Sequence, residues 1–300
     1  MNFTSKFLDS FSDNSFFDFD QKYKLKKKSQ TILPLGNCFL DIFAKELKKS
    51  KYKICDNEKP NKIAENGYKF FFGNYYNPLN LLHTLQRITK RSSIENSSFT
   101  FSKPFGHYIC LYTKARYQTK NLTDLKKRIK EIDKYLLNEI KKSTLILLSF
   151  ETNEAWIDKK TNKAWYTFYG DLYSQNPLEK RAKLEVIDAN RLKSIMKSII
   201  NILNKIGKKK KFILMTSPNH LWTTYQNLDV KLADSYSKYV FSSAFHELEN
   251  GKNIKYFPAY EIFSRFNSKK IKKYRDDQLH VGTEFTNKVL LKYFKKYFFK

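Results

Sequence analysis

The sequence predicts an α/β fold with a mostly parallel sheet held between two layers of helices. Three observations carry this. Short, continuous apolar runs recur at residues 31–35, 144–150, 211–216 and 254–258, as expected of strands buried on both faces. The segments between them include stretches with helical spacing of apolar residues. Strand–helix units in alternation build a sheet covered on both sides by its own crossovers.

Three hundred residues are ample for an α/β core. Residues 1–29 mix Phe with Asp and Ser and end in the basic run Lys24 to Lys28. They read as an irregular lead-in with solvated charges, and residues 30–300 as a single domain with insertions around 90–120 and 156–180. The run 31–35 gives way at Gly36 to a helix with Phe39, Ile42, Phe43 and Leu47 on one face and Lys45, Lys48 and Lys49 on the other. Gly36 suits a tight turn with unusual φ. The helix N-terminus behind it offers unsatisfied N–H groups to an anion or an oxyanion. Taken alone, an ordinary βα turn looks the same.

Residues 51–55 predict a second strand. The stretch Phe70-Phe71-Phe72-Gly73-Asn74-Tyr75-Tyr76-Asn77-Pro78 enters a helix at about 79–88. Gly73 permits close backbone approach and Asn74 carries an amide that donates and accepts; the alternative is an aromatic turn packed on the core. Residues 90–120 show no clear period, and His107 among them reads as a surface or packed histidine. A helix follows at 121–142, with Thr123 as candidate N-cap and Leu125, Ile129, Ile132, Leu136 and Ile140 as its stripe.

The strand at 144–150 ends in Glu151-Thr152-Asn153-Glu154, polar residues facing the crevice end of the sheet. Residues 156–169 resemble a hairpin with its turn at 158–163, and 182–207 read as a helix. The strand at 211–216 ends in Ser217-Pro218-Asn219-His220. A helix at 232–248, a strand at 254–258 and a basic stretch at 264–276 follow. Asp277-Gln278-Leu279-His280 then leads into a last helix at 283–298.

Composition narrows the function classes. The net charge is +28, yet only eight residues are Arg. Specific nucleic-acid readers add Arg for bidentate contacts, so none is expected here. Abundant Lys, Asn, Ile, Phe and Tyr fit an AT-rich coding sequence, and the charge leaves open contact with an anionic glycan or a membrane surface. Cys38, Cys55 and Cys110 form no CxxC pattern, which suits a reducing compartment. No stretch approaches the roughly 18 apolar residues of a membrane helix, and no signal peptide is evident. The expectation is a cytoplasmic protein. No GxGxxG, Walker A or zinc spacing occurs, and neither cofactor nor metal is expected.

Several blocks together resemble the GSCFA family, relatives of the SGNH/GDSL hydrolases. Gly36-Asn37-Cys38-Phe39 looks like its signature turn. Phe72-Gly73-Asn74-Tyr75-Tyr76, Asn153-Glu154-Ala155-Trp156 and Thr216-Ser217-Pro218 resemble its successive strand-end blocks. Ser235-Tyr236-Ser237-Lys238, Tyr256-Phe257-Pro258-Ala259-Tyr260-Glu261 and Asp277 to Val281 are similar to its closing ones. The blocks occur in order over residues 32–298.

The resemblance implies a flavodoxin-like, three-layer α/β/α fold and esterase-type or acyltransferase-type chemistry on a carbohydrate, a polysaccharide precursor or another acylated small molecule. His280 would be the base and Asp277 its orienting partner. Gly36, Gly73, Asn74 and Asn153 would surround the oxyanion, with Glu154, Ser217 and His220 at neighbouring strand ends. His220 is a secondary candidate and reads first as a satisfied rim histidine.

The departure is at the nucleophile. Where the family has Ser, this chain has Asn37, whose amide does not attack esters. Three explanations compete. In the first, hydrolysis is lost and the crevice serves binding or other chemistry; a glycan would be held through aromatics such as Tyr75, Tyr76, Trp156 and Trp222. Alternatively, Cys38 has taken over, its pKa lowered by the helix N-terminus. In the third, attack comes from Ser217, or from a water or acceptor hydroxyl with His280 as base.

Overall fold

The computed structural model of the chain describes residues 25–55, 75–102, 106–113, 119–166, 178–250, 252–266 and 270–300. The strands among them are β1 (Thr31–Gly36), β2 (Lys53–Ile54), β3 (Phe99–Ser102), β4 (His107–Cys110), β5 (Leu145–Phe150), β6 (Glu154–Asp158), β7 (Ala182–Val186), β8 (Lys211–Thr216) and β9 (Ile254–Phe257). The helices are α1 (Cys38–Lys49), α2 (Pro78–Lys90), α3 (Leu122–Lys142), α4 (Ala189–Asn204), α5 (Val230–Leu248), α6 (Ala259–Arg265), α7 (Thr283–Phe285) and α8 (Leu291–Phe298). A π-helical turn at Thr286–Leu290 joins the last two.

Five strands form the central sheet in the order β2-β1-β5-β8-β9. Every neighbouring pair is parallel. Successive side chains of a strand point to opposite faces, and the apolar runs divide accordingly. Ile32, Leu147, Ile213, Met215 and Phe257 meet α1 and α8, which supply Phe39, Phe43, Phe294 and Phe298. Leu33, Leu35, Ile146, Leu148 and Leu214 meet α2, α4 and α5 on the other face. This is a three-layer α/β/α arrangement. Counted within the sheet, the strand order is 2-1-3-4-5, the flavodoxin-like order, and the winding reverses between β1 and β5. In such folds ligands bind outside the carboxyl ends of the strands at that reversal.

The sheet strands fall where the apolar runs place them. Local assignments differ in three places. The α3 N-cap is Asn121, not Thr123: Asn121 Oδ1 accepts from Thr123 N at 2.8 Å and from Asp124 N. The stretch predicted as one helix from 182 begins as β7, and α4 starts only after Asp188 caps it through Arg191 N at 2.8 Å. β7 pairs antiparallel with β6, and the hairpin expected from residue 156, with its turn at 158–163, is present as far as the described residues reach: Ile157 bridges Ala164 antiparallel, Asp158 N donates to Lys163 O at 3.0 Å and Trp165 N to Trp156 O at 2.8 Å. Residues 99–110, which show no clear period, contain the β3–β4 pair, and half-buried His107 lies in β4. The lead-in is also partly anchored, since buried Leu25 donates to Phe298 O at 2.9 Å.

α2 shows how tightly local chemistry sets an element. Pro78 occupies its first turn and Asn77 Oδ1 accepts from Asn80 N at 3.0 Å. Asn77→Ala removes this cap and is expected to cost about 1 kcal/mol of stability. The check is a lower urea midpoint with unchanged slope.

Candidate active site

Five chain segments meet at the reversal. The turn after β1 brings Asn37 and Cys38. Tyr75 N donates to Gly36 O at 2.9 Å, and Tyr76 O accepts from Glu151 N and Thr152 N at 3.0 and 3.2 Å. The Tyr75–Tyr76 segment therefore ties the end of β1 to the end of β5. The loop after β8 brings Ser217, Asn219 and His220, and the fifth segment is the stretch from Asp277 to His280.

Gly36 is the last residue of β1, and its φ is not positive. The expectation of an unusual φ is corrected: what the position requires is space. A Cβ there would lie 1.9 Å from Ser149 O on β5.

Asn37 sits at the N-cap of α1 but does not cap it. Its fully buried side chain turns instead across the sheet ends. Nδ2 donates to Glu151 Oε2 at 3.0 Å and to Ser217 Oγ at 2.6 Å. The first N–H groups of α1 are thus left without a side-chain cap, facing the place where the three strands end.

The next residue, Cys38, accepts a contact from Asn219 Nδ2 at 3.1 Å and lies 3.9 Å from Glu151 Oε2. Burial, then the Glu151 charge, pushes its thiol up to about 12. These outweigh the helix N-terminus that was expected to lower it. Iodoacetamide at pH 8 should label Cys38 roughly a hundredfold more slowly than a free thiol, after allowing for the greater nucleophilicity of a more basic thiolate. Peptide mass mapping of the folded protein reads this. Fast labelling would return Cys38 to contention as a nucleophile.

His280 and Asp277 form a close pair, with Nδ1 2.7 Å from Oδ2. Asp277 Oδ1 also accepts the backbone N–H groups of His280 and Leu279, both at 2.9 Å. These two N–H donors, His280's first, hold the Asp277 carboxyl down at about 2. Gln278 closes the loop in the left-handed region, with φ 56°. Among the described residues His280 Nε2 has no hydrogen-bond partner, so the ring is oriented at one nitrogen and open at the other.

The β8 loop positions this pair. His220 N donates to Leu279 O at 3.0 Å, and Asn219 Oδ1 accepts from Val281 N at 3.0 Å. One amide, that of Asn219, therefore spans from the Cys38 sulfur to the residue beside His280. A family model described as the GSCFA family matches residues 31–293, which take in all of these segments. The chain belongs to the GSCFA family. No curated protein matches it.

At the centre of this GSCFA site lies a carboxylate that the strand-end reading placed at the crevice without giving it a role. Glu151 is half-buried between Asn37 and Lys238. Burial pushes its carboxyl up, opposed by the Lys238 charge, by the Asn37 amide and by the charge of His280. Lys238 is fully buried on α5, with Nζ 3.2 Å from Asp234 Oδ1 and 3.4 Å from Glu151 O. Asp234 continues to His220 Nδ1 at 2.7 Å, and His220 Nε2 meets Tyr274 OH at 2.7 Å. Burial alone would raise Asp234, but His220 and Lys238 outweigh it and hold it low.

Other expected site residues have different employment in the GSCFA fold. Both ring nitrogens of His220 are used, which makes it a satisfied histidine that supports the loop. Asn153 is buried, donating to Ile187 O at 2.9 Å and accepting from Ser237 Oγ at 2.7 Å; its amide ties β6 to α5 and is not free for an oxyanion. Glu154 clamps the loop after β8 through Tyr225 N and Gln226 Nε2, each at 2.9 Å. Ser217 is fully buried and its Oγ accepts from Asn37 Nδ2 and from Asn219 N. Gly73 and Asn74 lie outside the described residues.

Sequence reasoning gave no role to Glu151, Asn219, Asp234 or Lys238. A signal existed for three of them. Glu151 is the first charge after an entirely buried strand, and Asp234 and Lys238 stand four apart, so they share a helix face. Among the described residues no group of three or more His, Cys, Asp or Glu is placed to hold a metal ion. No helix among them is long and apolar enough to cross a membrane.

Proposed function

We propose that this chain transfers acyl groups to or from a carbohydrate hydroxyl, with His280 as general base and with the attacking oxygen supplied by the substrate or by water. The observation that carries this is the Asp277–His280 pair, oriented at Nδ1 and open at Nε2, beside the uncapped start of α1.

No side chain at the turn or at the end of β8 is left to attack. Asn37, at the position that the family resemblance aligns with serine, is an amide with both N–H donors engaged. Cys38 stays protonated at neutral pH. Ser217 is enclosed. A direct mechanism needs only a positioned acceptor and a base. His280 Nε2 takes the proton of the incoming hydroxyl as its oxygen bonds to the acyl carbon. The negative charge that develops on the carbonyl oxygen is met by the first N–H groups of α1. When the intermediate collapses, His280 returns the proton to the departing oxygen.

A second reading, glycan binding without chemistry, is favoured by one feature. Trp222, two residues beyond His220, is 79 % exposed, whereas Tyr75 is buried and Trp156 packs edge-on against Tyr225. Incubation with p-nitrophenyl acetate and with an acetylated oligosaccharide separates the two. Turnover that persists in Cys38→Ala supports the enzyme. No turnover of either substrate, with oligosaccharide affinity lost in Trp222→Ala, replaces it with the binding protein.

A further inference from the structure

Part of the +28 charge gathers on one face of α3. Lys126, Lys130, Lys134 and Lys141 line a groove of about 720 Å³, whose other wall is the end of α2 and the stretch after it. At about 1.5 Å of rise per helical residue, the row from Lys126 to Lys141 is about 22 Å long. Arg91 faces them from the opposite wall. Lys130, Lys134, Lys141 and Arg91 are exposed and have no ion-pair partner among the described residues. Among the described residues of the lining the one acid, Asp133, is already matched by a forked pair with Arg87.

We infer that this groove binds a linear anionic polysaccharide, with its charged groups along the lysine row. An elongated, concave site with a row of cations and no free acid among its described lining residues suits a polyanion stretched along it. Ser92, Ser93 and Asn138 on the walls offer donors and acceptors for sugar hydroxyls. A nucleic acid fits less well. Among its described residues the lining has one aromatic ring, that of Phe99, and Lys126 lies over it at 5.4 Å, so they offer no open platform for base stacking. The inference does not rest on the acyl-transfer reading, because it concerns another surface and its test measures binding alone.

The test uses the full chain and a size-defined oligogalacturonate, with neutral dextran and a single-stranded oligonucleotide as comparisons. Lys130→Glu/Lys134→Glu reverses two exposed charges of the row. Lys208→Glu/Lys209→Glu makes the same change in net charge at two exposed lysines on the turn after α4. Oligogalacturonate is expected to bind with an affinity that falls as salt rises, and to lose at least about tenfold in Lys130→Glu/Lys134→Glu and little in the control. Dextran should not bind. Equal loss in both double variants would reduce the effect to bulk charge and overturn the inference, as would no binding of the oligogalacturonate. Tighter binding of the oligonucleotide, lost in the same variant, would replace the glycan with nucleic acid.

Discussion

His280→Ala is expected to lower kcat/KM for ester turnover by about 10²- to 10⁴-fold, with no comparable loss of stability. The ring is one-third exposed and touches the fold mainly through Asp277, so its removal opens no large cavity. Its backbone bonds, to Arg275 N and Asp277 Oδ1, are kept in the variant. A base that acts on a proton in flight leaves two signatures. Added imidazole should recover part of the rate in His280→Ala, and Asp277→Asn should lower the rate without changing substrate affinity to the same degree. Asp277 itself contributes no limb to the rate profile near neutrality, since its carboxyl is held at about 2. Folding lowers that value, so the stability it contributes is in place above about 4, the ordinary carboxyl value, and is lost as the pH falls towards about 2. Turnover undiminished in His280→Ala would place the base elsewhere and remove the mechanism.

The parts of this site that could be read in the sequence are those that are local. Asp277 and His280, which the family resemblance picks out, are three apart, and their pairing follows from a loop that closes on itself. β5 and β8 are legible because strands buried on both faces have no room for charge. α4 is legible because its six buried residues repeat at helical spacing. β7 is not, because Ala182-Lys183-Leu184-Glu185-Val186 runs into a helical pattern and becomes a strand only by pairing with β6. The centre of the site was beyond reach for a related reason. Asn37 meets Glu151 and Ser217 across 114 and 180 residues, and which polar side chains turn towards one another at a sheet edge is decided by tertiary packing. Cys38 is the instructive case. Its place at a helix N-terminus argues for a low pKa, and burial, together with the Glu151 carboxylate, reverses the sign.

Gly36→Ala is expected to be the most damaging small substitution at the turn, costing about 3 kcal/mol or more. The added Cβ would fall 1.9 Å from Ser149 O and 2.9 Å from Ser149 C and N. These are backbone atoms of a central strand, in register with Gly36 itself, so no side chain can move aside to make room. The collision is relieved only by parting β1 from β5, which strains the bond from Asn37 N to Ser149 O at 3.0 Å. The same displacement shifts the start of α1 relative to His280, and a misplacement of about 1 Å in a reacting constellation can cost about 10²-fold in rate. Gly106→Ala is the internal comparison. Its φ is +62°, but nothing lies within 4 Å of the added carbon, so only the backbone preference of about 1 kcal/mol applies. Urea unfolding of both variants separates the two costs. If Gly36→Ala is no more destabilising than Gly106→Ala, the close approach of β1 and β5 does not set the geometry of the turn. The glycine would then owe its place to something other than the space it leaves for Ser149.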